Sequence, residues 1–284
     1  MAIKRPIVAS IAHRTWCIDE YGMAAMFLLE GDEHALLIDT GVGLTDIPAL
    51  VRTLSDKPLT VALTHGHVDH AGGLDQLGEA FIHPADRELA LSVSPDDRAG
   101  FVRWLLSLSE GIYDVGPEDL RLGKEKARLL PLTGGHVFHL GGRDVEVIGT
   151  PGHTPGGLSY LDRKERILFS GDACNPNTLL AWGQEEAARL RPGSSVGDLL
   201  AAAEALEARH ADYDRHFTGH IGFAADVAVL PAPEELIREC IALCRDLLSG
   251  RAAGVAADPG NPADSRLIAE TRTMRICYCP DQLR

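Results

Sequence analysis

Residues 64–73 read THGHVDHAGG, and His65, His67, Asp69 and His70 fill four of six consecutive positions in a chain with 12 histidines among 284 residues. The apolar run LTVAL (59–63) ahead of them reads as a strand ending near Thr64, which places the four side chains on a connecting loop. Gly66 permits a tight path there, and Gly72 with Gly73 opens the next element. Imidazole nitrogens suit divalent transition metals, and a carboxylate adds neutralising charge. Three imidazoles crowded without a metal would repel when protonated and gain little packing.

A metal needs more donors than one loop can aim at it, and other apolar runs end in suitable residues. His153 follows DVEVIG (144–149), Asp172 closes ILFSGD (167–172) and His220 closes HFTGH (216–220). Donors at the ends of strands sit on rigid supports. VALTHGHVDHAGGL (61–74) and VIGTPGHTPGGL (147–158) also share Thr, Gly-His and Gly-Gly-Leu after a strand. That echo suggests two related halves meeting at a common site. The remaining histidines fit this logic less well: His83, His136, His139, His210 and His216 read as ordinary core or surface groups, and His13 and His34 as surface positions.

Strand-like runs recur at 23–31, 34–41, 59–66, 144–152, 158–161, 166–172 and 214–220. Between them, helical patterns occupy 47–55, 72–78, 85–93, 99–111, 195–210 and 233–250. Interleaving of this kind indicates a layered α/β or α+β domain. One domain over 1–284 is expected, with a helical insertion at about 84–135 and a C-terminal helix at 233–250. Phe101, Trp104, Leu105, Leu108, Ile112 and Tyr113 of the insertion would form either an apolar pocket wall or a helical pair packed on the body. Asn175, Asn177, Thr178 and Trp182 could form a second wall or a simple turn, and Tyr21 reads as an edge packing residue.

The composition is ordinarily globular, 45% hydrophobic and 24% charged, and the formal charge is −14. Such acidity disfavours a broad phosphate-tracking surface, so nucleic acid is not expected as a partner. No apolar run is long enough to span a bilayer, and the opening stretch lacks the apolar segment expected of a secretory leader, so none is expected. A cytoplasmic protein with reduced thiols follows. Cys240 and Cys244 are core candidates on the last helix, and Cys277 and Cys279 are assigned to a plain surface tail. Neither GxGxxG nor a P-loop occurs, which argues against a nucleotide cofactor.

LIDTG (37–41), THGHVDH (64–70), TPGHTPGG (150–157), SGD (170–172) and TGH (218–220) occur in that order. In these anchors the chain resembles the metallo-β-lactamase-fold hydrolase superfamily of the dinuclear HxHxDH type. The resemblance implies a four-layer αββα sandwich of two mixed sheets with the site at one edge. It further implies one metal held by His65, His67 and His153, a second by Asp69, His70 and His220, and Asp172 bridging both. Asp39 would orient the ligand loop from behind.

Two divalent ions about 3.5–4 Å apart can share and deprotonate a water near neutral pH. The expected reaction is hydrolysis of a small-molecule ester, thioester or lactone by a metal-bridging hydroxide, with Asp69 also shuttling a proton. The alternatives are a di-iron oxidoreductase or oxygenase on the same fold, or a β-lactam or phosphodiester hydrolase. Zinc is the expected metal, with manganese and iron as alternatives. The partners are a small-molecule substrate, no nucleic acid and no membrane, with a homodimer left open.

Overall fold

A computed structural model describes residues 2–109, 111–123, 127–180, 193–220, 229–261 and 264–283. A seven-stranded sheet is built in chain order from β1 (Ile7–Ala12), β2 (Thr15–Asp19), β3 (Ala25–Glu30), β4 (Ala35–Ile38), β5 (Leu59–Ala62), β6 (Glu79–Ile82) and β7 (Arg128–Pro131). Its first four strands are antiparallel, and β4 to β7 are parallel. The parallel crossovers carry α1 (Ile47–Leu54), α2 (Val68–Ala71), α3 (Arg87–Ser92) and α4 (Pro95–Leu108).

The second sheet contains β8 (Val137–His139), β9 (Asp144–Gly149), β10 (Leu158–Asp162) and β11 (Ile167–Phe169) as an antiparallel run. Beyond a short strand, β12 (Asn177–Leu179), and helix α5 (Val196–Glu207), β13 (Arg215–Phe217) joins this sheet parallel to β11. After α6 (Leu236–Ser249), β14 (Val255–Ala256), β15 (Leu267–Glu270) and β16 (Arg275–Tyr278) combine with β12 in a small third sheet.

Alternation along each strand explains the layering. Phe27 and Leu29 of β3 and Leu36 and Ile38 of β4 point toward Tyr160, Ile167 and Phe169 of the second sheet. Phe27 and Phe169 meet with ring centroids 4.6 Å apart. The intervening Met26, Leu28, Ala35 and Leu37 face Ile47 and Val51 of α1 and Ala90 of α3. On the far side, Leu161 and Leu168 pack against Leu199 and Leu206 of α5 and Cys240 and Cys244 of α6. Both faces of the central strands are covered, so they read as continuous apolar runs rather than alternating ones. The αββα sandwich anticipated from sequence is present.

The segment between β6 and β7 packs by one face. Leu105 and Tyr113 are buried against Tyr21, Met23, Val42 and Leu44, while Trp104 and Leu108 are exposed on the outer face. Tyr21 meets Tyr113 edge-on at 6.0 Å, the packing role read from sequence. α4 opens on a capping box in which Ser94 and Asp97 bond reciprocally, with Pro95 at the first helical position. β7 falls inside the stretch expected to be helical, and pairs in parallel with β6.

The helix expected over 72–78 is instead a single 3₁₀ turn, Leu74–Gln76, after the short α2. The expectation for the C-terminal cysteines also fails: Cys277 and Cys279 are buried, and β16, which carries Cys277, lies between β12 and β15 with Ile276 and Tyr278 packed in the core of α5 and α6. Among the described residues no helix is long and apolar enough to cross a membrane.

Candidate metal centre

Strands β4 and β5 run parallel in the first sheet, and β9, β11 and β13 run in one direction in the second. Their carboxyl ends converge on one edge of the sandwich. Asp39 follows β4, the loop 64–70 follows β5, His153 follows β9, Asp172 follows β11 and His220 follows β13. Backbone bonds join the two sheets there: Leu158 N donates to Thr64 O at 2.8 Å and Ala25 N to Gly219 O at 2.8 Å. Gly219 has no substitute, since a Cβ would lie 2.5 Å from Asp172 Oδ1 and 2.6 Å from His70 Cε1.

All seven sequence-derived donors come together. Three groups have donor atoms within 4.8 Å of one another: His65, His67 and His153; His65, His70 and Asp172; and Asp69, His70 and His220. His67 Nδ1 lies 2.8 Å from His153 Nε2. Two imidazole lone pairs repel at that distance unless a proton or a cation lies between them. Asp172 reaches both sides, with Oδ2 3.6 Å from His153 Nε2 and 3.1 Å from His220 Nε2, and Oδ1 3.6 Å from His70 Nε2. Asp69 Oδ2 stands 3.4 Å from His220 Nε2 and 3.6 Å from His70 Nε2.

His65 Nε2, His70 Nε2 and Asp172 Oδ1 are buried without a hydrogen-bond partner. Such orphans are rare because each costs about 1–3 kcal/mol. Here they are the three members of one donor group. Nitrogen and carboxylate donors so arranged fit a divalent transition metal.

The two ends of the centre differ electrostatically. Burial, then neighbouring His70, His67 and His153, holds His65 well below the ordinary imidazole value. Burial and His67 bring His153 down to about 4. Burial also works downward on His70, but Asp69, Asp39 and Asp172 outweigh it and lift that imidazole to about 10. Asp172 is held well below the usual carboxylate range, since His220 and His70 overcome the upward push of burial. His65 and His153 therefore offer neutral lone pairs at one end, and the other end sets carboxylates among its imidazoles.

Support comes from behind. Asp39 Oδ2 pairs with His70 Nδ1 at 2.8 Å and accepts from Thr64 Oγ1 at 2.8 Å, while Oδ1 accepts from Thr64 N at 2.7 Å. That is the orienting role anticipated for Asp39, and it leaves His70 Nε2 facing the centre. His153 Nδ1 bonds the carbonyl of Leu179 and so fixes its own ring.

Glu20 was not anticipated. It is fully buried and accepts from the backbone N–H groups of Val42 at 2.6 Å, Gly43 at 3.2 Å and Thr45 at 2.6 Å, pinning the loop beyond Asp39. Its partners are peptide N–H groups, which leave no trace in residue identity.

The other histidines stay out of the centre. His139 pairs with Asp144 at the surface, His83 accepts from Ala85 N, and His136 packs on Phe138. Buried His216 meets Ser170 Oγ at 2.7 Å. Thr178 Oγ1 accepts from Asn175 N and donates to Asn175 O, and Asn175 Oδ1 accepts from Asn177 N, which favours the simpler reading of that stretch; Trp182 lies outside the described residues.

Comparison with known proteins finds related sequences and folds. Acyl-coenzyme A thioesterase MBLAC2 of Homo sapiens is 31% identical over 199 residues, covering 64% of this chain and 67% of that protein. The atrochrysone carboxyl ACP thioesterase of Aspergillus fumigatus is 29% identical over 150 residues, covering 51% of this chain and 28% of its own length. Among solved structures, a metallo-beta-lactamase from Hirschia baltica has a TM-score of 0.55 at 18% identity, over 84% of this chain and 97% of that one. The sec-alkylsulfatase Pisa1 from Pseudomonas sp. has a TM-score of 0.59 at 17% identity, over 87% and 42%. The sequence model of the metallo-beta-lactamase superfamily matches residues 20–220, and the chain belongs to that family.

Proposed function

We propose that the protein is a dinuclear metal-dependent hydrolase of acyl thioesters. His65, His67 and His153 would hold one ion, Asp69, His70 and His220 the other, with Asp172 between them. The observation that carries this reading is the chain of three overlapping donor groups, in which His65 and His70 each belong to two. The thioester class is supported by the two thioesterases among the relatives, neither of them matched over its full length.

Bound divalent ions lower the pKa of a coordinated water and polarise the acyl oxygen of the substrate. The chain's own part is positional and acid–base. Asp69, whose side chain is 10% exposed, would take the proton of the attacking water on a carboxylate oxygen. A thiol has a pKa of about 8.5, so it departs as thiolate and asks little of a general acid. A thioester therefore suits a site whose titratable groups are committed to holding ions. Cys17, Cys174, Cys240 and Cys244 are free and buried, which supports a reducing, cytoplasmic location as part of this reading.

The test is elemental mass spectrometry on protein purified without chelator, followed by an acyl-coenzyme A, ester and lactone panel. Two zinc per chain with thioester turnover is the expected result, and His67→Ala and Asp172→Ala should abolish it while circular dichroism stays native. Full turnover in Asp172→Ala, or two iron per chain without hydrolysis, overturns the reading.

A further inference from the structure

Asp86 lies at the end of the 3₁₀ turn Pro84–Asp86, directly after β6, and is fully buried. Its carboxylate reaches two loops from different sheets. Oδ2 accepts from Gly66 N at 3.2 Å and from Thr154 Oγ1 at 2.6 Å, and Oδ1 accepts from Gly156 N at 2.7 Å. Gly66 separates His65 from His67, and Thr154 follows His153. One side chain is thus bonded to both loops that carry the all-histidine donor group, and to neither of the segments carrying Asp172 and His220.

The residue type fits the task. Three donors converge, and an ionised carboxylate accepts at both oxygens while donating at none. Charge-assisted bonds of this kind are about twice as strong as neutral ones. Gly156 completes the fit, since a Cβ there would lie 2.6 Å from Asp86 Cγ.

We propose that Asp86 is the positioning residue for the first metal position. It clamps the His65–His67 loop to the His153 loop, so that three imidazoles stand at fixed spacing before an ion arrives. This rests on the metal-centre reading above, but the clamp itself is testable without metal. Asp86→Asn keeps the shape while turning an NH₂ group onto either Gly156 N–H or the Gly66 and Thr154 donors. Thr154→Val removes a single bond and gives a milder variant should Asp86→Asn fold poorly.

Amide exchange by NMR on chelator-stripped protein reads the clamp directly. In Asp86→Asn the Gly66 and Gly156 amides should exchange about 10-fold faster or more, and Gly219, which donates to Gly171 O at 2.9 Å, should keep its wild-type rate. Thr154→Val should give a smaller rise at the same two amides. Zinc titration against a chelator should then show one of two equivalents weakened about 10–100-fold, with the other unmoved.

Unchanged exchange at Gly66 or Gly156, a uniform rise that includes Gly219, or equal weakening of both equivalents would each overturn the proposal. Wild-type protein binding fewer than two equivalents would sink the dinuclear reading instead, and the exchange experiment would still decide the clamp.

Discussion

Replacing Asp39 by asparagine exchanges one carboxylate oxygen for an NH₂ group at a point where every neighbour is buried. Thr64 N donates to Oδ1 at 2.7 Å and cannot reverse its role, so the amide oxygen must stay there. The NH₂ then faces His70 Nδ1, 2.8 Å from Oδ2 in the native protein. His70 answers by taking the tautomer with Nδ1 as acceptor, which puts its proton on Nε2, the atom turned toward the centre. Binding an ion forces that proton back to Nδ1, donor against donor in a dry site. A buried unsatisfied donor costs about 1–3 kcal/mol. Loss of a partner that orients a ligand lowers metal affinity about 10–100-fold, or about 1.4–2.7 kcal/mol.

The two ranges coincide. Competition of Asp39→Asn and wild type for zinc against a chromophoric chelator at pH 7 should therefore show weakening within them. Binding within twofold of wild type would refute the tautomer argument. In the metal-free protein the raised His70 contributes stability that is full below about 6.5 and lost as pH rises through about 10. Asp39→Asn should shrink that alkaline loss.

Three further perturbations test the scaffold. Arg143, buried between the sheets, pairs with buried Asp162 and also donates to Arg14 O at 2.9 Å and Thr15 Oγ1 at 2.6 Å. Arg143→Met should cost about 3–5 kcal/mol in urea unfolding, and adding Asp162→Asn should recover part of it; strict additivity would contradict the pairing. Tyr160 Oη donates to Leu63 O at 2.6 Å in the core, so Tyr160→Phe should cost about 1 kcal/mol by the same assay. Burial lowers His216 to about 4, so the unfolded chain takes up this proton first as pH falls. Wild type should lose about 2 kcal/mol between pH 7 and 5 from this group alone. His216→Asn should remove that part of the acid sensitivity, and an unchanged slope would place the sensitivity elsewhere.

What was readable in the sequence follows from where the physics is local. The donors in 65–70 crowd one loop, and His153, Asp172 and His220 each close an apolar run, so strand ends and ligands announce each other. β3, β10 and β11 were visible because both faces are dry. Among the strands that escaped reading, EAFI (β6) and RLLP (β7) are four residues each and owe their state to parallel neighbours, while β1 and β2 went unread despite being longer and, in β2, largely buried. In the third sheet β12 is NTL, and Val255 of β14 is 70% exposed. The C-terminal tail looks like a loose end, yet Gln282 Nε2 bonds the carbonyls of Leu180 and Ser194, and Leu180 N donates to Cys277 O. Glu20 and Asp86 were illegible for a different reason. Each answers peptide N–H groups from distant loops, a demand set by backbone path rather than by side-chain type.

The division of donors between the sheets has a consequence for how the chain matures. His65, His67, Asp69 and His70 come from the first sheet, and His153, Asp172 and His220 from the second. On the proposed ligation, the amino-terminal half would emerge from synthesis with a partial ligand set, and neither ion position would be complete until the second sheet had supplied His153 and Asp172 and, for the second position, His220. Ion binding would then report that the two sheets have docked in register.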